Sequence, residues 1–209
     1  TGYFAYKLTA YPALKTLCED APNFAMAHML KGYLLLSMGT QATVPGASKS
    51  AAHVQTLRDS LTTGEACHLA ALLAWARGDL AGACHHWDMI TIAQPHDLLA
   101  IKLQHFTLFW MGRPEHMRDV INRVMPQWQH GMPGYANLMG MHAFALEELG
   151  HFETAERLGR QAAEQDPDDL WAVHAVAHVY EMQGDLQAGI AWLDQPADSW
   201  HDRNPFREH

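Results

Sequence analysis

Histidine is the residue in this chain with the most to offer chemistry. There are 15 of them, against 14 Lys and Arg together, and imidazole both titrates near neutrality and ligates transition metals. In the string WAVHAVAHVYE, His174 and His178 stand four residues apart, with Glu181 three further on. On a helix that spacing puts both imidazoles on one face, a turn apart, where they could share one divalent transition metal. Zincin-type sites use the same spacing but carry Glu directly after the first His; Ala175 stands there, so that base is missing. From His174 to Glu181 the axial rise is ~10.5 Å, too far for three short side chains to converge on one ion. Glu181 is therefore expected to lean back onto His178 and set its tautomer. The third ligand would be His209, with His142 or Glu147 in reserve. The same cluster of His174, His178 and Glu181 could also serve acid/base or hydrolytic chemistry, with or without the metal. The plainer reading is a pair of packing histidines bonded to carbonyls or carboxylates.

Other signatures of catalysis are missing. The sequence has no phosphate-cradling glycine loop, no GxSxG elbow and no GKS or GKT. The chain is therefore read first as a non-enzyme. Cys18, Cys67 and Cys84 are odd in number and form no CxxC, which excludes a disulfide framework or zinc ribbon and points to a reducing cytoplasm. Cys67 and Cys84 are expected to pack helix on helix. His105 is expected in the core, and His85 and His86 on the surface. The formal charge of −9, with no cluster of Lys and Arg, excludes a nucleic-acid face. No run of 18 apolar residues exists to span a membrane. With 48% hydrophobic and 18% charged residues, the chain can bury a core.

The elements that must position these residues are set out by glycine. Gly39, Gly78, Gly112, Gly150 and Gly184 follow one another at intervals of 39, 34, 38 and 34 residues, each between two helix-compatible segments. A helix–turn–helix unit of 34 residues is the tetratricopeptide period. With each glycine at position 15 of its unit, position 20 holds Ala83, Met117, Ala155 and Gly189, three of them small enough for closely crossing helices. The long intervals contain TQATVPGASKS and QHGMPG, both read as loops. The expected fold is an all-α, tetratricopeptide-like solenoid forming a single domain over residues 1–209. It comprises a leading helix within 1–22, an irregular pair within 23–63, and repeat units 64–97, 98–135, 136–169 and 170–209. Because the chain stops where another first helix would begin, it reads as part of a longer solenoid.

In such solenoids the first helix of each pair lines the inner groove. Those positions hold Trp75, Lys102, Phe106, Phe109, Trp110, Phe144, Glu147 and Trp171, together with His174 and His178. The wall is aromatic with a few polar groups, a composition suited to a peptide or small-molecule site. The same aromatics at helical spacing would equally serve as core.

Two strings, HDLLAIKLQHFTLFWMG with HMRDVINRVMPQW, and DPDDLWAVHAVAHVYEMQGDLQAGIAWL, go beyond generic repeat patterning. Through them the chain resembles the tetratricopeptide repeat protein 38 family, over roughly residues 10–209. The resemblance implies a helical repeat fold and a family about twice this length, in which His209 would open a further H-N-x-W-H helix. It also implies histidine at positions 105, 174 and 178, whereas His85, His86 and His142 are particular to this chain. It implies no reaction or ligand. Two functions follow as expectations. The first is a groove that binds a peptide segment or partner protein; the second is a small-molecule binder or metal-assisted enzyme built on the histidine cluster.

Overall fold

The computed structural model of the chain describes residues 6–194. Among them no β-strand forms. Eleven α-helices follow in order: α1 (Ala10–Asp20), α2 (Ala25–Ser37), α3 (Val44–Thr56), α4 (Thr63–Ala76), α5 (Leu80–Ala93), α6 (Leu98–Trp110), α7 (Pro114–Val124), α8 (Tyr135–Glu147), α9 (Phe152–Gln165), α10 (Leu170–Gln183) and α11 (Leu186–Leu193). None of them is long and apolar enough to cross a membrane. The helices fall into two compact units, one of residues 9–107 and one of residues 108–194 with 6–8.

Turn chemistry sets the hairpins. All five ruler glycines adopt left-handed backbone, with φ between +64° and +80°, where any other L-residue is strained. At four of them the following residue donates its N–H to the carbonyl five positions back: Asp79 to Ala74, Arg113 to Leu108, His151 to Leu146 and Asp185 to Tyr180, each at 2.9 Å. The glycine N–H closes the inner bond of the same Schellman motif, satisfying carbonyls that the helix end would leave open. The next helix then starts on a cap. Asp79 accepts from the Gly82 N–H and Asp185 from the Ala188 N–H. Upstream, Thr62 and Glu65 form a reciprocal capping box for α4.

One expected loop is a helix. The segment TQATVPGASKS contains only a short 3-10 turn, Gln41–Thr43, before α3 begins at Val44. Pro45 sits in the first turn of α3, where its missing N–H costs nothing. Its small residues Ala47, Ser50 and Ala51 are buried, so smallness here marks close packing rather than a turn.

In the 9–107 unit, α2/α3 and α4/α5 are the hairpins, with α1 against α2. The core is built on Met29, Tyr33, Leu72, Trp87 and Ile90, all within 2% of full burial. In the 108–194 unit, α10 packs on both helices of the α8/α9 hairpin. The inner helices α8 and α10 are apolar around most of their circumference, whereas α9 shows a narrow stripe of Ala155, Gly159 and Ala162 to the core and charge elsewhere. Small residues let α10 approach. A Cβ at Gly159 would lie 2.6 Å from Val176 Cγ2, and one at Gly140 would lie 3.0 Å from Ala172 Cβ.

That contact gives the first prediction. Gly159→Ala improves intrinsic helix propensity by about 1 kcal/mol but forces a methyl onto the fully buried Val176. The overpacking dominates, at about 1–3 kcal/mol, so the thermal midpoint should fall, and Gly159→Ala with Val176→Ala should recover part of the loss. A midpoint that rises in the single variant would show that the helices are not in contact there.

Candidate functional site

Within the 108–194 unit, α8 and α10 bring their aromatic and titratable side chains together. Phe144 on α8 is fully buried and Trp171 on α10 is 3% exposed, with ring centroids 4.5 Å apart. His174 lies nearly parallel to both rings, at 26° and 4.9 Å from Trp171 and 26° and 5.5 Å from Phe144. His178 stands edge-on to Phe144 and 4.2 Å from the His174 ring. Phe109, at the end of α6, continues the series from Phe144 at 5.2 Å to Trp110 at 5.1 Å. Trp110 ends it in solvent, 77% exposed. Among the buried rings, offset and edge-on contacts at these separations add about 0.5–1.5 kcal/mol per pair beyond burial.

The last residue of α8, Glu147, lies beside this stack. It is only 4% exposed, and its Oε2 is shielded from solvent with no hydrogen-bond partner among the described residues. Nδ1 of His178 is 3.9 Å from that oxygen, beyond hydrogen-bond reach. Burial, then the negative charges of Glu148 and Glu181, push the Glu147 carboxyl up to about 7. Glu147, Glu148 and His178 bring one ligand-type atom each within 4.8 Å of one another.

Of the expected metal ligands His174, His178 and His209, His178 is the one that lies in this group. His174 packs against both Phe144 and Trp171 and is not in the converging group; His209 lies outside the described residues. Glu181 is exposed, and the carboxylate found beside His178 is Glu147 from the neighbouring helix. His142 is half-buried on α8, its pKa lowered by burial and by the Arg118 charge.

The expected groove residues divide by burial. Phe144, Trp171, Glu147 and Lys102 are buried. The Lys102 ammonium sits 5.5 Å from the Phe106 ring centroid. Trp75, Phe106 and Phe109 are half-buried, and Trp110 alone of the eight is exposed. His105 is buried, His85 exposed and His86 half-buried. Cys84 is buried, and its thiol is pushed up to about 12 by burial and by Asp88, which makes it inert. Cys67 is half-buried.

The 9–107 unit holds a polar chain that the sequence does not announce. Asp97, just before α6, meets His68 Nε2 at 3.0 Å; His68 Nδ1 is 3.2 Å from the Tyr33 hydroxyl, which also takes the Trp87 indole N–H at 3.3 Å. Burial pushes the Asp97 carboxyl up. The hydrogen bond and charge of His68 and the N–H groups of Ala100 and Leu99 outweigh it, and the group sits below its usual range. The order Asp–His–hydroxyl resembles a nucleophile relay. However, Tyr33 is fully buried and donates to the His68 carbonyl at 2.7 Å. It ties α2, α4 and α5 together and offers nothing to a substrate.

No protein-family model matches the sequence. Among solved structures the chain is similar to YrrB, described as a TPR protein with an unusual peptide-binding site. The identity is 16% and the TM-score 0.53, covering 96% of this chain and 98% of that one. It is also similar to a tetratricopeptide repeat protein from Parabacteroides merdae ATCC 43184, at 14% identity and a TM-score of 0.57, covering 95% of this chain and 74% of that one. The fold is that of the tetratricopeptide repeat. Its period explains why α8 and α10, the first helices of successive hairpins, lie side by side and share one aromatic wall.

The raised Glu147 carboxyl has a signed consequence. Below about pH 4.3 it is protonated both folded and unfolded and has no effect on stability. As pH rises to about 7 the unfolded chain releases the proton while the folded chain holds it, so stability declines, and the penalty is complete above pH 7. Without added metal, Glu147→Gln should raise the thermal midpoint by several degrees at pH 8 and leave it nearly unchanged at pH 4. An equal fall at both pH values would mean that the carboxylate is satisfied as it stands.

Proposed function

We propose that the chain is a helical-repeat scaffold that docks an extended peptide or partner segment on the 108–194 unit, over the C-terminal ends of α6, α8 and α10. The observation that carries this reading is Trp110. Its indole is 77% exposed while its inner neighbour Phe109 is joined to the buried Phe144. A large aromatic ring on a rigid base is the type of residue that dominates binding at protein interfaces. Met182 is also exposed, at 64%. Glu148 and Glu181 present carboxylates on the same helix ends, so the preferred segment pairs an apolar anchor with a basic residue.

The structurally similar YrrB is described as having a peptide-binding site, which supports the reading by analogy of fold. The quoted strings support placing the chain in the tetratricopeptide repeat protein 38 family. Three free thiols, two of them buried, fit the reducing cytoplasm.

Selection of a randomised phage-displayed peptide library on the purified protein tests the docking surface. Selected peptides should lose affinity by about tenfold or more on Trp110→Ala. The thermal midpoint should stay within about 1 °C, because an exposed ring contributes little to the core. Unchanged affinity in that variant would remove Trp110 from the surface, and a large drop in midpoint would make it a core residue.

A further inference from the structure

The geometry points to a binding site for one divalent transition-metal ion formed by Glu147, Glu148 and His178. Three observations converge on it; none of them rests on the docking reading, with which the site shares Glu148. First, the donor set is mixed: two carboxylates and one imidazole from two helices place their ligand atoms within 4.8 Å of one another. A tetrahedral ion with bonds of ~2.1 Å needs its ligands ~3.4 Å apart. The remaining ångström or so is within reach of side-chain rotation, since Glu148 is exposed and His178 is 28% exposed.

Second, Glu147 is more than nine-tenths buried with Oε2 lacking any hydrogen-bond partner among the described residues, and that oxygen faces the His178 ring. A carboxylate held like this is costly unless a cation completes it. Third, both carboxylates sit at the C-terminal end of α8, where the helix dipole is negative. That position disfavours paired acids and favours a bound cation.

The ring stack behind the site has a part in this. Phe144 and Trp171 form a dry back wall with His174 against them, and Phe144 meets the His178 ring edge-on. Glu147 would bind from inside, while Glu148 and His178 close the site from the solvent side. An ion so held keeps its outward positions open to water or to a ligand, the arrangement of catalytic rather than structural sites. The chemistry of the donors suits zinc or manganese; imidazole favours the former and the carboxylates accept either.

Isothermal titration of ZnCl2 and of MnCl2 into chelator-stripped protein tests the assignment. The chain has other histidine pairs, including His85 and His86 with ring centroids 5.7 Å apart, so a His85→Ala/His86→Ala protein is measured in parallel. The expected result is one equivalent of metal on the wild type, retained in that double variant and in Trp110→Ala. It should weaken by about tenfold or more in Glu147→Gln, Glu148→Gln and His178→Ala. Glu148 is on the surface, so its variant stays folded even if the others do not. A bound metal should also raise the thermal midpoint of the wild type and not of Glu147→Gln. No binding by the wild type, or binding that survives Glu148→Gln and disappears with His85 and His86, would overturn the site.

Discussion

The approach of α10 to the α8/α9 hairpin is the constraint on which the 108–194 unit depends. Glycine at 140 and 159 lets helix backbones come within methyl-contact distance of Ala172 and Val176. At that separation Phe144 and Trp171 have no route to solvent and pack on one another. Burying two such rings stabilises the unit by about 2–3 kcal/mol each. The same approach closes over Glu147, which sits on the same inner surface of α8 as Phe144. The apolar contacts are thus strong enough to hold a carboxylate where water would otherwise solvate it. A local conflict of this sort, tolerated inside an otherwise consistent fold, marks a position kept for something other than stability.

The buried polar groups around Tyr33 and those around Glu147 are satisfied to different degrees. Around Tyr33, every polar atom that the network brings inside meets another: Asp97 with His68, His68 with Tyr33, and Trp87 with Tyr33. That arrangement is complete, and its effect is to fix three helices in register. Around Glu147 the arrangement is incomplete, with a buried oxygen that has only a distant imidazole. A finished network rigidifies; an unfinished one beside a solvent opening can accept an ion or a ligand. The relay-like order of Asp97, His68 and Tyr33 is therefore structural, whereas Glu147 and His178 leave a carboxylate oxygen unmet among the described residues.

Much of the fold was legible in the residues because glycine spacing is a local signal. Gly78, Gly112, Gly150 and Gly184 each close a turn whose hydrogen bonds involve only six neighbouring residues. The helices flanking them are then forced. The segment from Thr40 to Ser50 is ambiguous in sequence because Ala, Ser, Gly and Pro mark turns and also tight helix packing, and the neighbours α2 and α4 decide between them. The pairing of His174 with His178 was visible as a four-residue interval. Glu147, 31 residues before His178, could be named only as a reserve ligand behind His209, and Glu148 was not named as a ligand. Likewise Tyr33 and Trp87 are 54 residues apart. Such contacts are set by how far one helix sinks against the next, which a single sequence does not display. The burial of Phe144 and the exposure of Trp110 follow from the same depth, although both were expected on the inner face of their helices.

The most direct test of this account is the titration of Glu147 itself in metal-free protein, followed by carboxyl-carbon NMR with Glu147→Gln used to assign the signal. A carboxyl buried without a partner should titrate near 7, with the His178 ring sensing the event. A midpoint near 4.3, the value of a solvated glutamate, would show that the α8–α10 interface is open to water at that point, and the reasoning built on its closure would not stand.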